Sequence, residues 1–252
     1  MRHIKYSIII LTLISFHIST CNAGVLPDSL NIKVRAAYNL GGTSPLPLPS
    51  SIRSFEAFHP TTSPMIGADI ALNINNTWGL STGLRFENKG MDAEVTVKSY
   101  RMVMTKGSTQ LSGLFYGHVK QEVSQWMFTL PLYATLSLNH SVTLKAGPYL
   151  SLLVSKSFSG IASDGYLRQG NPTGPKIEIG DKEGEWATYD FSENMRSLQW
   201  GIGLGLDWLI SNHIGFSADL QWGLSGIFSS DFKTVEQTLW PIYGSLGVFY
   251  CL

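Results

Sequence analysis

Charge is scarce in these 252 residues. Asp, Glu, Lys and Arg make up 14% of the chain, against roughly 25% in an ordinary soluble domain. The 18 basic and 18 acidic residues cancel, so the basic surplus of a nucleic-acid binder is missing and no nucleic-acid partner is expected. Cysteine is nearly absent: Cys21 and Cys251 can build neither a disulfide framework nor a zinc cluster. No HExxH or paired-Cys metal spacing occurs, and no metal or cofactor is expected. Beyond residue 23 no run of about 18 uninterrupted apolar residues exists, which excludes a helical membrane span. What the chain does have is apolar residues (44%), aromatics (12%) and 25 glycines. That composition excludes intrinsic disorder, which needs low hydrophobicity and high net charge. The length fits one or two domains, and all-β barrels run this long as single units.

The amino terminus reads as a targeting segment. Arg2 and Lys5 precede an apolar run from Tyr6 to Ile18, and small or polar residues follow through Ala23. That order is a secretory signal peptide over residues 1–23, with cleavage after Ala23 and a mature domain over 24–252. Losing Arg2 and Lys5 takes the net charge from zero to −2. A second reading makes Cys21 an acylated lipoprotein cysteine.

The mature chain is apolar with a period of two, not 3.6. From Leu198 to Ile210 the even positions are Leu, Trp, Ile, Leu, Leu, Trp and Ile, while Gln199, Gly201, Gly203, Gly205 and Asp207 fill the odd ones. After the turn Ser211-Asn212-His213 the pattern returns in Ile214, Phe216, Ala218, Leu220, Trp222 and Leu224. The same alternation marks segments around 30–40, 66–74, 78–86, 126–138, 142–154 and 240–252. That makes eight strands. Connections near Asn76, Asn139 and Asn212 are tiny, and those at 41–64, 99–120, 158–196 and 227–236 are long. Strict alternation of short and long connections predicts an all-β, eight-stranded antiparallel up-and-down transmembrane β-barrel in the bacterial outer membrane, with short periplasmic turns and both termini periplasmic. Closure is required, because an open sheet edge leaves backbone groups unpaired in hydrocarbon.

Outer-membrane lipid is therefore the first expected partner, and the barrel-assembly machinery the second. Trp78, Trp126, Trp200, Trp208, Trp222 and Trp240 all fall on the apolar parity and are candidates for membrane-interface aromatics. Trp200 and Trp208 are separated by about 20 Å along the membrane normal, near the expected girdle spacing. The opposite parity carries Lys33, Arg35, Arg85 and Lys145 against Asp69, Glu87, Asp207 and Asp219. Buried charges need partners, so four against four predicts an ion-paired plug; a proton or ion path is the alternative. An eight-stranded barrel is just wide enough to be filled by side chains, and inner glycines such as Gly201, Gly203, Gly205, Gly215 and Gly223 leave room for large polar ones.

Phe128-Thr129-Leu130-Pro131-Leu132-Tyr133-Ala134, a short turn, then Lys145-Ala146-Gly147-Pro148-Tyr149-Leu150-Ser151 resembles a block of the PorT-like outer-membrane β-barrel family of Bacteroidetes. The Gly-rich strand from Trp200 and the aromatic terminal strand are also similar, and the likeness covers 24–252. It departs at Tyr250-Cys251-Leu252, where a terminal Phe is the usual assembly signal. The resemblance implies a small outer-membrane barrel. One family member is tied to protease secretion, which makes a secretion complex a further candidate partner, although family membership does not fix function.

Some small barrels are rim enzymes. His59, His118, Ser157, Asp164, Glu183 and Asp231 are the residues of suitable type here, but no pairing follows from their spacing, and a lone loop His is ordinarily a solvated side chain. Gly201 to Gly205 lies within a strand and lacks phosphate-loop spacing. The segment Gly160 to Asn194 holds seven acidic against three basic residues, either a solvated loop or a docking surface. Pro45 to Pro49 predicts a stiff, extended strut. The reading is a non-enzymatic barrel with a plugged interior and a structural, adhesive or secretion-accessory role. The alternatives are a narrow transport pore and, behind it, a rim-active lipid A or peptide hydrolase.

Overall fold

The structure, a computed structural model, describes residues 30–252 apart from 183, 233 and 236. The leader expected over 1–23, with Cys21, lies outside the described residues. No helix among those described is long and apolar enough to cross a membrane.

Eleven strands form: β1 (Leu30–Pro45), β2 (Ile52–His59), β3 (Pro64–Asn73), β4 (Trp78–Lys106), β5 (Thr109–Ser137), β6 (Val142–Gln169), β7 (Lys176–Ile179), β8 (Ala187–Asp190), β9 (Leu198–Leu209), β10 (Ile214–Gly223) and β11 (Leu239–Cys251). Eight close a ring in the order β1, β3, β4, β5, β6, β9, β10, β11 and back to β1. Closure rests on the register Lys33↔Cys251 through Pro45↔Leu239. The three tiny connections are where the sequence places them. At two of them an Asn side chain caps the turn: Asn75 Oδ1 accepts from Thr77 and Trp78 N–H at 2.8 and 2.7 Å, and Asn139 Oδ1 from Ser141 and Val142 N–H at 2.8 Å.

Three of the four long connections differ from expectation. Residues 99–120 are not a loop: β4 and β5 run as 29-residue strands to a tight turn at 107–108. A transmembrane strand needs only about 9–11 residues, so most of each continues beyond the membrane band. Residues 158–196 hold the upper part of β6, from Phe158 to Gln169, with β7 and β8 folded back on it, and β8 also meets β4 at Thr105↔Thr188. Residues 41–64 hold the top of β1 and all of β2. Pro45 to Pro49 makes the bend between them, with a cis Leu46–Pro47 peptide, rather than a straight strut.

One change of pattern explains all three. Along β4, inner Gly79, Ser81, Arg85, Glu87 and Lys89 face outer Leu80, Leu84 and Phe86. From Met91 onward the inner residues are Met91, Ala93 and Val97 and the outer ones Asp92, Glu94 and Thr96. β5 repeats the change: outward Trp126 to Leu136 is apolar, and outward His118, Lys120, Glu122 and Ser124 is polar. Below this level lipid takes the apolar face; above it water does not, and the chain buries its own hydrophobes inside. Met91, Val97, Met102, Met104, Phe115, Phe158, Leu167, Tyr189 and Phe191 belong to that upper core. A bulge between Lys98 and Tyr100, with Ser99 at φ 58°, shifts the inward parity so that Met102 and Met104 turn inside.

Candidate functional site in the barrel bore

Every one of the eight ring strands places a polar side chain in the bore at membrane level. Arg35 (β1) is its centre: its guanidinium lies 2.5 Å from Asp69 (β3), 3.3 Å from Asp219 (β10) and 3.5 Å from Asp207 (β9). Arg85 (β4) reaches the same Asp69 and Asp219 at 3.3 and 3.5 Å. Lys145 (β6) spans Asp207 at 2.6 Å and Asp219 at 3.1 Å, and Lys33 meets Asp207 at 2.9 Å. All but Lys33 are at least 95% buried. Seven of the eight sequence-derived charges thus meet in one layer.

The eighth, Glu87, lies in a second layer with a residue that sequence reasoning missed. Lys89, 3% exposed, stands 3.4 Å from Glu87, donates to Gln221 and packs over the Tyr149 and Tyr243 rings at 5.1 and 5.9 Å. Glu87 also accepts from Thr129 at 2.5 Å and Asn39 at 3.2 Å. The bore therefore holds five cations against four carboxylates among the described residues, not a balanced four and four. The parity of β4 runs two residues past Glu87, and that signal was available in the sequence.

The inner glycines make this packing possible. A Cβ on Gly203 overlaps the Tyr133 hydroxyl, and one on Gly201 lies 2.7 Å from the Tyr149 hydroxyl. Gly205 faces Asp219 and Lys145 in the same way, and Gly83 faces Asp69. Small residues on one wall admit large polar ones from the wall opposite.

Trp78, Trp200, Trp208 and Trp222 point outward and are about half exposed. Trp126 is half-buried because it stacks on Phe86 at 5.2 Å, and Trp240 is likewise half-buried. Of the rim residues, His118 and Asp164 come together at 3.5 Å, with Glu56 at 3.2 Å and the Thr96 hydroxyl at 3.1 Å from the imidazole. Thr96 also donates to Glu56. This group is on the outer wall, with the His118 side chain 42% and that of Asp164 74% exposed; pairs so exposed contribute about 0–1 kcal/mol. His59 and Asp231 are exposed elsewhere, Ser157 is half-buried on β6, and Glu183 lies outside the described residues. In the upper core, burial pushes the Tyr189 phenol above its ordinary range.

A closed ring of eight strands, oily outside and ion-paired inside, defines an outer-membrane β-barrel. The outer membrane protein beta-barrel domain family matches residues 22–229, and the chain belongs to that family, whose place is the bacterial outer membrane. No curated relative matches it in sequence. Among solved structures it is similar to Ail, the attachment invasion locus protein of Yersinia pestis (12% identity, TM-score 0.35, covering 88% of this chain and 97% of that one). It is also similar to Neisserial surface protein A (10%, 0.32, 88% and 96%) and to CarO2 of Acinetobacter baumannii (14%, 0.39, 88% and 99%).

Proposed function

We propose that this protein is a closed, non-enzymatic outer-membrane barrel, with its short turns in the periplasm and the tall β4–β5–β6 sheet projecting from the cell as an attachment or docking structure. One observation carries the reading: Arg35, Arg85 and Lys145 bond Asp69, Asp207 and Asp219 across the bore from six different strands. A path for ions through that layer requires breaking several buried pairs at once, each costly to open. The resemblance to PorT-like barrels adds a secretion complex as a partner of the projecting sheet. Planar-bilayer recording on the refolded protein tests closure: the expected result is no stable opening, and a large, steady single-channel conductance overturns it. Co-purification from detergent extracts of cells with and without the 99–120 hairpin tests docking, the expected result being a partner lost with the hairpin.

A further inference from the structure

Above the membrane the β2–β4 sheet has two unlike faces. On the inner one, Ile52 and Val97 are register partners in the wall of an apolar chamber of about 330 Å³. Among the described residues β2 is bonded to β4 and not to β1, and the half-exposed rings of Phe55 and Phe58 stand at that seam. The face turned away from the chamber carries a separate hollow, also about 330 Å³, within the size range of small-molecule sites. Its walls are polar: Arg53, Lys98 and Arg101, with the hydroxyls of Ser50, Ser51 and Ser99. No carboxylate is among its described walls.

Two β-bulges gather these cations. In β2 the register steps from Ile52↔Val97 to Ser54↔Thr96, so Arg53 is an extra residue with no position opposite it on β4. In β4 it steps from Lys98↔Tyr116 to Tyr100↔Phe115, and the extra residue is Ser99, left-handed at φ 58°. Residues three apart on a regular strand point to opposite faces; with Ser99 inserted, Lys98 and Arg101 share one. Bulges re-aim side chains beside functional sites, and a left-handed residue with a Cβ is a strain that such sites retain. Arg101 is already engaged, whereas the side chains of Arg53 and Lys98 have neither a hydrogen bond nor an ion pair among the described residues. Two free like charges on one hollow repel, and an anion between them turns repulsion into attraction.

The height of the hollow selects the anion. Lys98 lies seven residues above Met91, where the outward face turns from apolar to polar. At about 3.3 Å per residue and a tilt near 40° that is about 18 Å. The headgroup zone of a bilayer extends only about 5–8 Å beyond its hydrocarbon, and outward Asp92 and Glu94 stand in between. Lipid phosphates therefore lie below the hollow. The charge selects further: two free cations balance a phosphate monoester, which carries about −1.5 to −2 at neutral pH, better than a carboxylate or a sulfate ester with a single charge.

We propose that this hollow binds the phosphate monoester group of a soluble sugar phosphate, with Arg53 and Lys98 holding the phosphate. The site goes beyond the docking role and touches no residue of the ion-paired bore, so closure, docking and this binding are tested separately.

The test is isothermal titration calorimetry on the full chain in phosphatidylcholine nanodiscs, with glucose 6-phosphate, glucose 6-sulfate and glucose as probes. One saturable site is expected for the phosphate, a weaker one for the sulfate and none for glucose. Lowering the pH from 7.5 to 5 weakens the phosphate about tenfold, because its second proton returns near pH 6; the sulfate ester, whose charge is constant over that range, reports any change in the protein itself. The Arg53→Gln/Lys98→Gln variant weakens glucose 6-phosphate by about tenfold or more, the value of one hydrogen bond to a charged group. Lys120→Gln, which removes an exposed cation on the neighbouring strand already paired with Glu94, leaves it unchanged. Heat-shifted gel mobility confirms that both variants are folded. Sulfate binding as tightly as phosphate, equal affinity in the wild type and the double variant, or loss of binding when phosphatidic acid is added to the nanodisc, which would assign the site to a lipid phosphate, overturns the proposal.

Discussion

Replacing Arg35 by Met tests whether the bore is held by charge pairing. The side chain has 0% exposure and touches three carboxylates at 2.5, 3.3 and 3.5 Å. Met keeps most of the volume, so the change isolates the charge. Asp69 and Asp219 keep Arg85, and Asp207 keeps Lys145 and Lys33, yet each of the three carboxylates loses its bond to the central guanidinium that ties them together. Removing one partner of a buried pair costs about 3–5 kcal/mol, which is two to nearly four powers of ten in the folding equilibrium. The assay is urea unfolding in phosphatidylcholine vesicles, followed through the outward tryptophans. Two controls sharpen it. Lys120→Met breaks the half-exposed 3.7 Å pair with Glu94 and should cost about 0–1 kcal/mol. Arg35→Met with Asp69→Leu removes an opposed pair together and should recover much of the loss, because apolar replacement of a buried pair is often neutral. The reasoning fails if Arg35→Met lies within about 1 kcal/mol of wild type, or if the double variant is less stable than the sum of its parts.

Two further outcomes follow from the geometry. Gly203→Ala drives a methyl into the Tyr133 hydroxyl and should cost about 1–3 kcal/mol, the usual range for overpacking. Adding Tyr133→Leu should return most of it in the same vesicle assay. Leu132→Arg, in the middle of the outward apolar stretch of β5 and 53% exposed, should destabilise by about 2–4 kcal/mol as a charge near the bilayer midplane. Glu122→Arg, on the same strand and face but above the change of pattern, should alter stability by less than about 0.5 kcal/mol. Equal effects at 132 and 122 would move the bilayer from where the strand pattern puts it.

The membrane-level barrel was legible because its physics is local. Alternation of period two fixes which side of each strand meets oil, Asn-centred turns fix where strands reverse, and the parity then selects Arg35, Asp69, Arg85, Asp207 and Asp219 for the bore. Distances among those residues were not legible, because they depend on shear and strand order, which bring Arg35 within reach of β3, β9 and β10 together. The projecting strands were missed for a different reason. Residues 91–97 alternate as regularly as 79–87, but with Met91, Ala93, Val95 and Val97 on the side that lower down holds charge. A search for outward oil passes over inward oil. Lys89 fell into that gap, being the last charged residue on the inner parity before the change.

The inversion also explains why one strand can serve two purposes. In the bilayer a strand gains its burial energy from lipid, so its inner face is free to carry Arg85, Glu87 and Lys89, provided they are paired. Outside the bilayer no lipid is present, and burial must come from within, which commits Met91, Ala93 and Val97 to a core of their own. A core assembled from strand extensions closes less completely than a barrel. At its level β3 has ended and β2 has replaced it beside β4, and among the described residues nothing bonds β2 to β1. The seam, the half-exposed rings of Phe55 and Phe58 and the cavity behind them are consequences of that exchange of strands. Pairing β2 to β1 is then the change that would seal the chamber, while the ion-paired layer beneath, closed by a complete ring of eight strands, would be untouched.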